Sequence, residues 1–177
     1  MCSSDLSIVA DYQPGEGKLT VYQSTQAPHM MQNVFAKHLG MNEGDVRVVT
    51  KDVGGSFGIK VHVYADEFAA VALSKMFQRP VKFIADRLES FVTDIHARDH
   101  LVKARMCVSK DGKIQALEFD DLTGIGPYSM YPRTSAIEAN QIVNLTGGAY
   151  QIENYKAAAK VVFQNKNVMC QIGRAHV

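Results

Sequence analysis

The stretch Val46-Arg47-Val48-Val49-Thr50-Lys51-Asp52-Val53-Gly54-Gly55-Ser56-Phe57-Gly58 joins a strand-like run to a glycine loop. Val46 to Val53 is typical of a strand, and helical spacing resumes near His62. A glycine loop at such a junction lets the backbone approach a bulky anionic ligand, and the start of the following helix adds unpaired N–H donors. The stretch therefore predicts either a ligand cradle or an ordinary tight turn between strand and helix.

Two common glycine motifs do not fit this loop. A nucleoside triphosphate loop requires four residues between its glycines and then Gly-Lys-Ser/Thr, whereas Lys60 here lies between Ile59 and Val61. The dinucleotide fingerprint Gly-x-Gly-x-x-Gly is also missing. If the loop binds a ligand, that ligand is not predicted to be a nucleotide held in either of these ways.

The composition is that of a globular protein. The chain has 177 residues, 46% hydrophobic content and a net charge of +1, which is enough to bury a core. No basic cluster with aromatic residues indicates nucleic acid, and no apolar run reaches the ~20 residues that span a bilayer. The start of the chain lacks a signal-peptide pattern, so a cytoplasmic location is expected.

Both ends of the chain look foreign to the fold. Residues 1–6 and 172–177 resemble translated sequencing adapters, and we expect the chain to be a gene fragment translated past its own ends. Cys2 falls in the first of these segments, which leaves Cys107 and Cys170. Two distant cysteines in a cytoplasmic chain are expected to be free thiols, since they match no zinc spacing.

The remaining residues, 7–171, predict one mixed α+β unit. Leu6 to Tyr12 and Lys18 to Gln23 read as a hairpin, and a helix is predicted between Pro28 and Gly40. A second helix after the glycine loop ends at Arg79-Pro80. The second half predicts another hairpin, with strands from Leu101 to Val108 and from Ile114 to Phe119 joined by a turn at Lys110 to Lys113. A helix capped by Thr134 is predicted up to Gly147, and a last strand from Ala157 to Phe163.

Few side chains outside the loop suggest chemistry by themselves. Gln26 lies between a strand and a helix, where its amide could both donate and accept, although an amide bonded to nearby loop backbone is the commoner case. The charged residues of Asp86 to Glu89 and of Arg98 to His100 could orient a site or form surface ion pairs. The histidines show no metal-ligand spacing. Cys170 has the chemistry of a nucleophile or soft-metal ligand, or of a plain buried thiol.

Four segments together resemble the molybdopterin-binding large subunit of the xanthine oxidase family. They occur in the family's order and spacing, and they are Ser24 to His29, Asp52 to Lys60, Arg79 to Lys82, and Ala85 to Arg87. The aerobic carbon monoxide dehydrogenase branch is the most similar, because Val61 follows Lys60 where xanthine dehydrogenases have Glu. The resemblance implies part of a molybdopterin-binding domain of a molybdenum hydroxylase.

The resemblance also implies which residues bind the cofactor. It assigns Gln26, Gly55, Ser56, Phe57 and Gly58 to the molybdenum end of the pterin, with Gln26 hydrogen-bonded to an oxo ligand of the metal. Neutral, preorganised donors suit an oxygen-rich anionic centre. Ser56 replaces a more usual third glycine and adds a side chain at the closest approach.

Further implications concern the complete enzyme. Cys170 ends a segment similar to the approach to the family's active-site loop, where a Cys can bridge molybdenum to copper. The family's catalytic base, a Glu, and an Arg that faces the metal would lie outside this fragment. The cofactor could take its cytosine dinucleotide form, FAD and iron–sulfur clusters would sit on partner subunits, and the assembly would be a dimer of heterotrimers. The intact enzyme would oxidise carbon monoxide, an aldehyde or an N-heterocycle, while the fragment alone would be inactive; the alternative is a non-catalytic binding or scaffold domain.

Overall fold

The computed structural model describes residues 6–170, which form two compact units, 6–94 and 95–170. The predicted α+β class is confirmed, because each unit combines a sheet with helices. The sequence predicted one unit, and the boundary between Asp94 and Ile95 has no Gly, Pro or Ser-rich linker that would signal it.

The first unit is built on a four-stranded sheet. Its strands are β1 (Ser7–Gln13), β2 (Lys18–Gln23), β3 (Val46–Val49) and β4 (Val81–Ile84), in the order β3-β2-β1-β4. β1 pairs antiparallel with both β2 and β4, so the predicted hairpin is present. β2 and β3 are parallel, and the chain between them passes through helix α1 (Pro28–Leu39).

The helices of this unit begin and end where local chemistry requires it. α1 has Pro28 in its first turn and ends at Gly40, whose left-handed backbone (φ 63°) closes the helix. α2 (Ala65–Phe77) starts after a single 3-10 turn at Ile59–Val61, so it begins later than the expected position near His62. α3 (Arg87–Thr93) was not predicted; it forms in the segment that the sequence analysis treated only as a charged stretch.

The core of the first unit lies between the sheet and helices α1 and α2. Its buried side chains come from β1, β2, β3 and both helices, and include Ile8, Leu19, Val21, Met31, Phe35, Val46 and Val71. Leu6 is also buried, at 1% exposure, and its carbonyl accepts a hydrogen bond from Ala85 N–H at 3.0 Å. Leu6, which was expected in the foreign segment 1–6, is therefore packed into the first unit; the other residues of the suspected foreign segments lie outside the described residues, and their origin stays a prediction.

The second unit is a three-stranded sheet with one helix against it. Its strands are β5 (His100–Val108), β6 (Ile114–Gly124) and β7 (Asn154–Val162), and the helix is α4 (Ile137–Leu145). β5 and β6 form the predicted antiparallel hairpin, whereas β6 and β7 are parallel. α4 begins at Ile137 with Ala136 as its N-cap, so Thr134 is not the cap; its hydroxyl accepts instead from Ala136 N–H at 3.2 Å.

Candidate cofactor site

The glycine loop and the Gln26 segment leave the same edge of the sheet. β2 and β3 are parallel and in register from Leu19 opposite Val46 to Tyr22 opposite Val49. The segment after β2 carries Gln26, and the segment after β3 carries the loop. Because the carboxyl ends of parallel strands lie side by side, the topology brings two distant parts of the sequence together. Beyond the last pair, the Thr50 hydroxyl continues this contact by donating to Gln23 O at 3.2 Å.

The loop backbone adopts left-handed conformations at four positions. The φ values are 71° at Gly54, 96° at Gly55, 51° at Phe57 and 103° at Gly58. Glycine adopts such angles without penalty, whereas a bulky residue does so at a cost of about 1–2 kcal/mol. Phe57 therefore has a strained backbone, and the residue is 44% exposed. Strained residues of this kind are concentrated at functional sites.

Gln26 is hydrogen-bonded directly to this loop. Its Oε1 accepts from Gly58 N–H at 3.1 Å, and its backbone N–H donates to Lys60 O at 3.0 Å. Because Gly58 N–H can only donate, the atom facing it must be the amide oxygen. The amide nitrogen is thereby assigned to the other side, and it has no hydrogen-bond partner among residues 6–170. The exposed side chain of Gln26 thus presents two N–H donors toward solvent.

The buried side chain of Lys60 links the glycine loop to the segment that carries Gln26. This lysine is only 2% exposed, and its ammonium donates to Val53 O at 2.6 Å and to Ser24 Oγ at 2.8 Å. Ser24 Oγ also lies 3.1 Å from Val53 O, and Thr25 Oγ1 donates to Lys60 O at 2.9 Å. One buried cation therefore ties the entry of the loop to the segment that carries Gln26.

The exit of the loop is fixed by two further hydrogen bonds. Ile59 N–H donates to Ser56 O at 2.9 Å, and the Tyr64 hydroxyl donates to Ile59 O at 2.8 Å. Val61, the position from which the sequence suggested a family branch, is 8% exposed and packs into the protein. The loop is therefore a preorganised structure rather than a slack connection.

The sequence suggested Gln26 and the loop as the site, but it gave no indication of the supporting roles of Ser24, Thr25, Lys60 and Tyr64. Ser24 and Lys60 are separated by 36 residues, and no local periodicity reports such a contact. The available signal was Lys60 itself, since a lysine beside the apolar residues Ile59 and Val61 is a candidate for a buried, paired cation.

Cys170 lies in the second unit and is completely buried. Its backbone N–H donates to His96 O at 2.8 Å, and its thiol lies 3.9 Å from Thr134 O. Buried thiols of this kind behave as small packing groups. Among residues 6–170, no group of three or more His, Cys, Asp or Glu side chains is arranged to hold a metal ion.

The described helices include none with the length and apolar character needed to cross a membrane.

A strained glycine loop and an outward-facing amide lie together at the carboxyl edge of a parallel strand pair. Such an arrangement is typical of a binding site for an oxygen-rich anionic ligand. The chain belongs to the family of molybdopterin cofactor-binding domains, whose family model matches residues 6–175.

Named relatives support this assignment. The carbon monoxide dehydrogenase large chain of Hydrogenophaga pseudoflava is 33% identical over 89% of this chain and 20% of its own length. The nicotine 6-hydroxylase large subunit of Paenarthrobacter nicotinovorans is 32% identical over 88% of this chain and 19% of its own length. The chain thus spans about a fifth of the length of these relatives, and their near-equal identities do not separate the branches that Val61 suggested.

Solved structures agree. Quinoline 2-oxidoreductase from Pseudomonas putida 86 superposes with a TM-score of 0.87 and 28% identity, covering 94% of this chain and 21% of that one. A copper- and molybdenum-containing carbon monoxide dehydrogenase gives a TM-score of 0.85 and 28% identity, with 96% and 21% coverage. The fold is therefore that of the molybdopterin-binding domains of molybdenum hydroxylases.

Proposed function

We propose that this chain is part of the large subunit of a molybdenum hydroxylase, in which Gln26 and the backbone of Gly55, Ser56, Phe57 and Gly58 hold the molybdenum end of the cofactor. The observation that carries the proposal is the fixed orientation of the Gln26 amide. Its oxygen accepts from Gly58 N–H on the loop side, so the two N–H donors of the amide are turned toward a ligand. A neutral donor suits an oxo group on an anionic metal centre, because it binds the oxygen without adding charge.

The residues around Gln26 have a positioning role in this proposal. Lys60 and Thr25 fix the amide and the loop relative to each other before a ligand arrives. A preorganised donor does not have to reorient when the ligand binds, which is the main advantage of such sites. The bound cofactor would supply the chemistry, namely oxidation of the substrate with an oxygen derived from water.

The named relatives support a proposal for the substrate class. We propose carbon monoxide, or else an aldehyde or N-heterocycle, because relatives of nearly equal similarity are named for carbon monoxide and for nicotine. Partner subunits with iron–sulfur clusters and FAD are proposed because the relatives are named as large chains or large subunits, which implies smaller companions. The cytosine dinucleotide form of the cofactor and a dimer of heterotrimers stay predictions.

Copper at Cys170 also stays a prediction. A thiolate is a suitable ligand for Cu(I), but the complete burial of this thiol in the described residues favours a packing role. Metal analysis of the complete gene product would decide between the two: about one copper per molybdenum, lost in C170S, supports the ligand role.

The test of the proposed function uses the complete gene product with its partner subunits. Molybdenum is measured by mass spectrometry, pterin by fluorescence after oxidation, and turnover with carbon monoxide, aldehydes and N-heterocycles. Q26E is the diagnostic variant, because its carboxylate still accepts from Gly58 N–H but replaces the outward donor with a negative oxygen. We expect Q26E to keep the fold and to lose about 100-fold or more in turnover, as do enzymes deprived of one oxyanion donor.

Two controls make this result interpretable. Q13A alters an exposed glutamine at the end of β1 and should behave as wild type. Q26A removes both the acceptor and the donor, so it should also disturb the loop. A product with neither molybdenum nor pterin would support the scaffold alternative instead, and a fully active Q26E would remove Gln26 from the site.

A further inference from the structure

A buried carboxyl group contacts the last residue of strand β2, just before the segment that carries Gln26. Glu67, in the first turn of α2, is 2% exposed, and its Oε2 accepts from Gln23 Nε2 at 2.9 Å. Gln23 is the last residue of β2 and is 5% exposed. A carboxylate and an amide therefore meet inside the first unit, outside the set of groups that face the proposed ligand.

The pair contains two buried oxygens that lack a donor. Glu67 Oε1 and Gln23 Oε1 have no hydrogen-bond partner among residues 6–170. Burying two acceptors that have no donor costs free energy, because each loses its hydrogen bonds to water and gains none in the protein. A proton on Glu67 Oε1 would turn one acceptor into a donor, and the oxygen of the same Gln23 amide is its natural partner. A carboxylic acid and an amide can then join through two hydrogen bonds instead of one.

The charges around Glu67 favour the neutral acid. Burial is the main effect and raises the pKa of Glu67 to about 8, with Asp66 and Asp94 adding to the rise. The Gln23 hydrogen bond and the Lys60 ammonium oppose it. The groups that face Glu67 thus comprise one cation and two other acidic residues, and a third negative charge would be poorly compensated.

Gln23 connects Glu67 to the candidate site, because its side chain bonds to Glu67 and its backbone bonds to both segments of the site. Its carbonyl accepts from Thr50 Oγ1 at 3.2 Å and from Thr25 N–H at 3.0 Å. The first contact joins β2 to the segment that leads into the glycine loop, and the second shapes the turn that carries Gln26. Ionisation of Glu67 would favour its movement toward water, and this would take away the only hydrogen bond that the described residues give to the Gln23 side chain.

We propose that Glu67 is a positioning residue that acts as a neutral carboxylic acid, holding Gln23 and thereby the Gln26 turn and the glycine loop, and that its ionisation loosens both. The effect on the cofactor rests on the proposed function, whereas the protonation of Glu67 does not. Ionisation of Glu67 would make the site sensitive to alkaline pH, although none of the residues proposed to face the ligand titrates.

The first test compares E67Q with E67A in the complete subunit. Glutamine is neutral at every pH and can form the same two hydrogen bonds with Gln23, so E67Q should match wild type in molybdenum content after dialysis at pH 7. At pH 9 the wild-type acid would be about tenfold more ionised than protonated. We therefore expect wild type to lose cofactor at pH 9 while E67Q retains it, and E67A to lose it at both pH values.

The matched control is E16Q, which changes an exposed glutamate in the β1–β2 turn. It should show the same pH dependence as wild type. Equal loss of cofactor at pH 7 in E67Q and E67A would overturn the proposal, because it would mean that the ionised form is the one required. Retention at pH 9 that is equal in wild type and E67Q would overturn it as well.

The second test does not depend on the cofactor. The infrared C=O stretch of a protonated carboxyl group should be present in the 177-residue chain at pH 7, absent in E67Q, and lost from wild type as the pH rises past 8. A missing band at pH 7 refutes the protonated state directly. If the band is present but the complete subunit never carries molybdenum, the proposed function fails while the assignment of Glu67 stands.

Discussion

Lys60 is the residue on which the geometry of the glycine loop depends most directly. Its ammonium joins Val53 O, at the entry of the loop, to Ser24 Oγ, in the segment that carries Gln26. K60M removes the cation while keeping the apolar stem, so it leaves two acceptors without this donor. We expect a loss of about 2–4 kcal/mol in the free energy of unfolding, as for buried hydrogen bonds to charged groups.

The measurement is urea denaturation of the 177-residue chain, with K18M as the control. Lys18 is 57% exposed and pairs with Glu16 at 3.4 Å on the surface, where such a pair contributes little. A K60M chain as stable as K18M would show that the buried cation is dispensable. K60M should also weaken cofactor retention in the complete subunit, because the loop and Gln26 lose their common anchor.

At the scale of single residues, the sequence suggested which residues face a ligand, and this stays a prediction, but it did not indicate the residues that support them. Gln26 and the loop glycines were assigned to the site by the resemblance of four sequence segments to the family, since their residue types alone also fit an ordinary loop amide and a tight turn. Lys60, Thr25 and Gln23 act through contacts with residues that are distant in sequence, and only the pairing of β2 with β3 reveals those contacts. The single-sequence patterns carry no record of that pairing.

At the scale of elements, helix α2 shows what hydrophobic periodicity finds and what it misses. The helical spacing of the apolar residues predicts an inner face of Tyr64, Phe68, Val71, Ala72 and Met76. Tyr64 and Val71 are buried and Phe68 packs against the core, but the buried face also contains Glu67, Ala70 and Ser74, and Met76 is 72% exposed. Ser74 is buried because its hydroxyl bonds to Tyr12 N–H, to Ala10 O and to Arg79 O. A method that counts only apolar residues cannot find a face that is half polar.

Helix α3 gives the element-scale prediction. Asp86 Oδ1 accepts from Leu88 N–H and Glu89 N–H at 2.8 Å each, and Glu89 Oε2 accepts from Asp86 N–H at 3.0 Å. This reciprocal pair is a capping box, and its Asp-x-x-Glu spacing was present in the sequence. D86A should lower the free energy of unfolding by about 1 kcal/mol, measured by urea denaturation.

Conservative variants separate the effect of the capping hydrogen bonds on stability from the effect of the negative charge. D86N keeps an acceptor at the N-cap and should cost only a small fraction of the D86A effect, because Asn caps helices about as well as Asp. E89Q keeps the reciprocal bond to Asp86 N–H and should likewise be nearly silent. If D86N were as damaging as D86A, the charge of Asp86 rather than its hydrogen bonds would be responsible.

At the scale of the whole molecule, surface carboxyl groups affect stability only in acid. Hydrogen bonds from Lys166 and Gln164 lower the pKa of Asp99, and those from Lys156 and Arg105 lower the pKa of Glu118. A depressed pKa contributes stability above the unfolded value, and that contribution is lost as the pH falls through the folded value. Because these groups are near solvent, their effect is small and confined to the acid limb of the pH profile.

The pKa of Glu67 is shifted in the opposite direction, so this group affects stability between its unfolded and folded pKa values. Its pKa rises from an ordinary 4.5 to about 8 in the fold, so the folded state binds more protons than the unfolded state between these values. The stability from this group is therefore complete below pH 4.5 and is lost as the pH rises through 8. Urea denaturation of the chain should show the free energy of unfolding decreasing from pH 5 to pH 9 by up to about 4 kcal/mol. E67Q should flatten this decline and E16Q should leave it unchanged, whereas a decline of the same size in E67Q would assign the effect to another group.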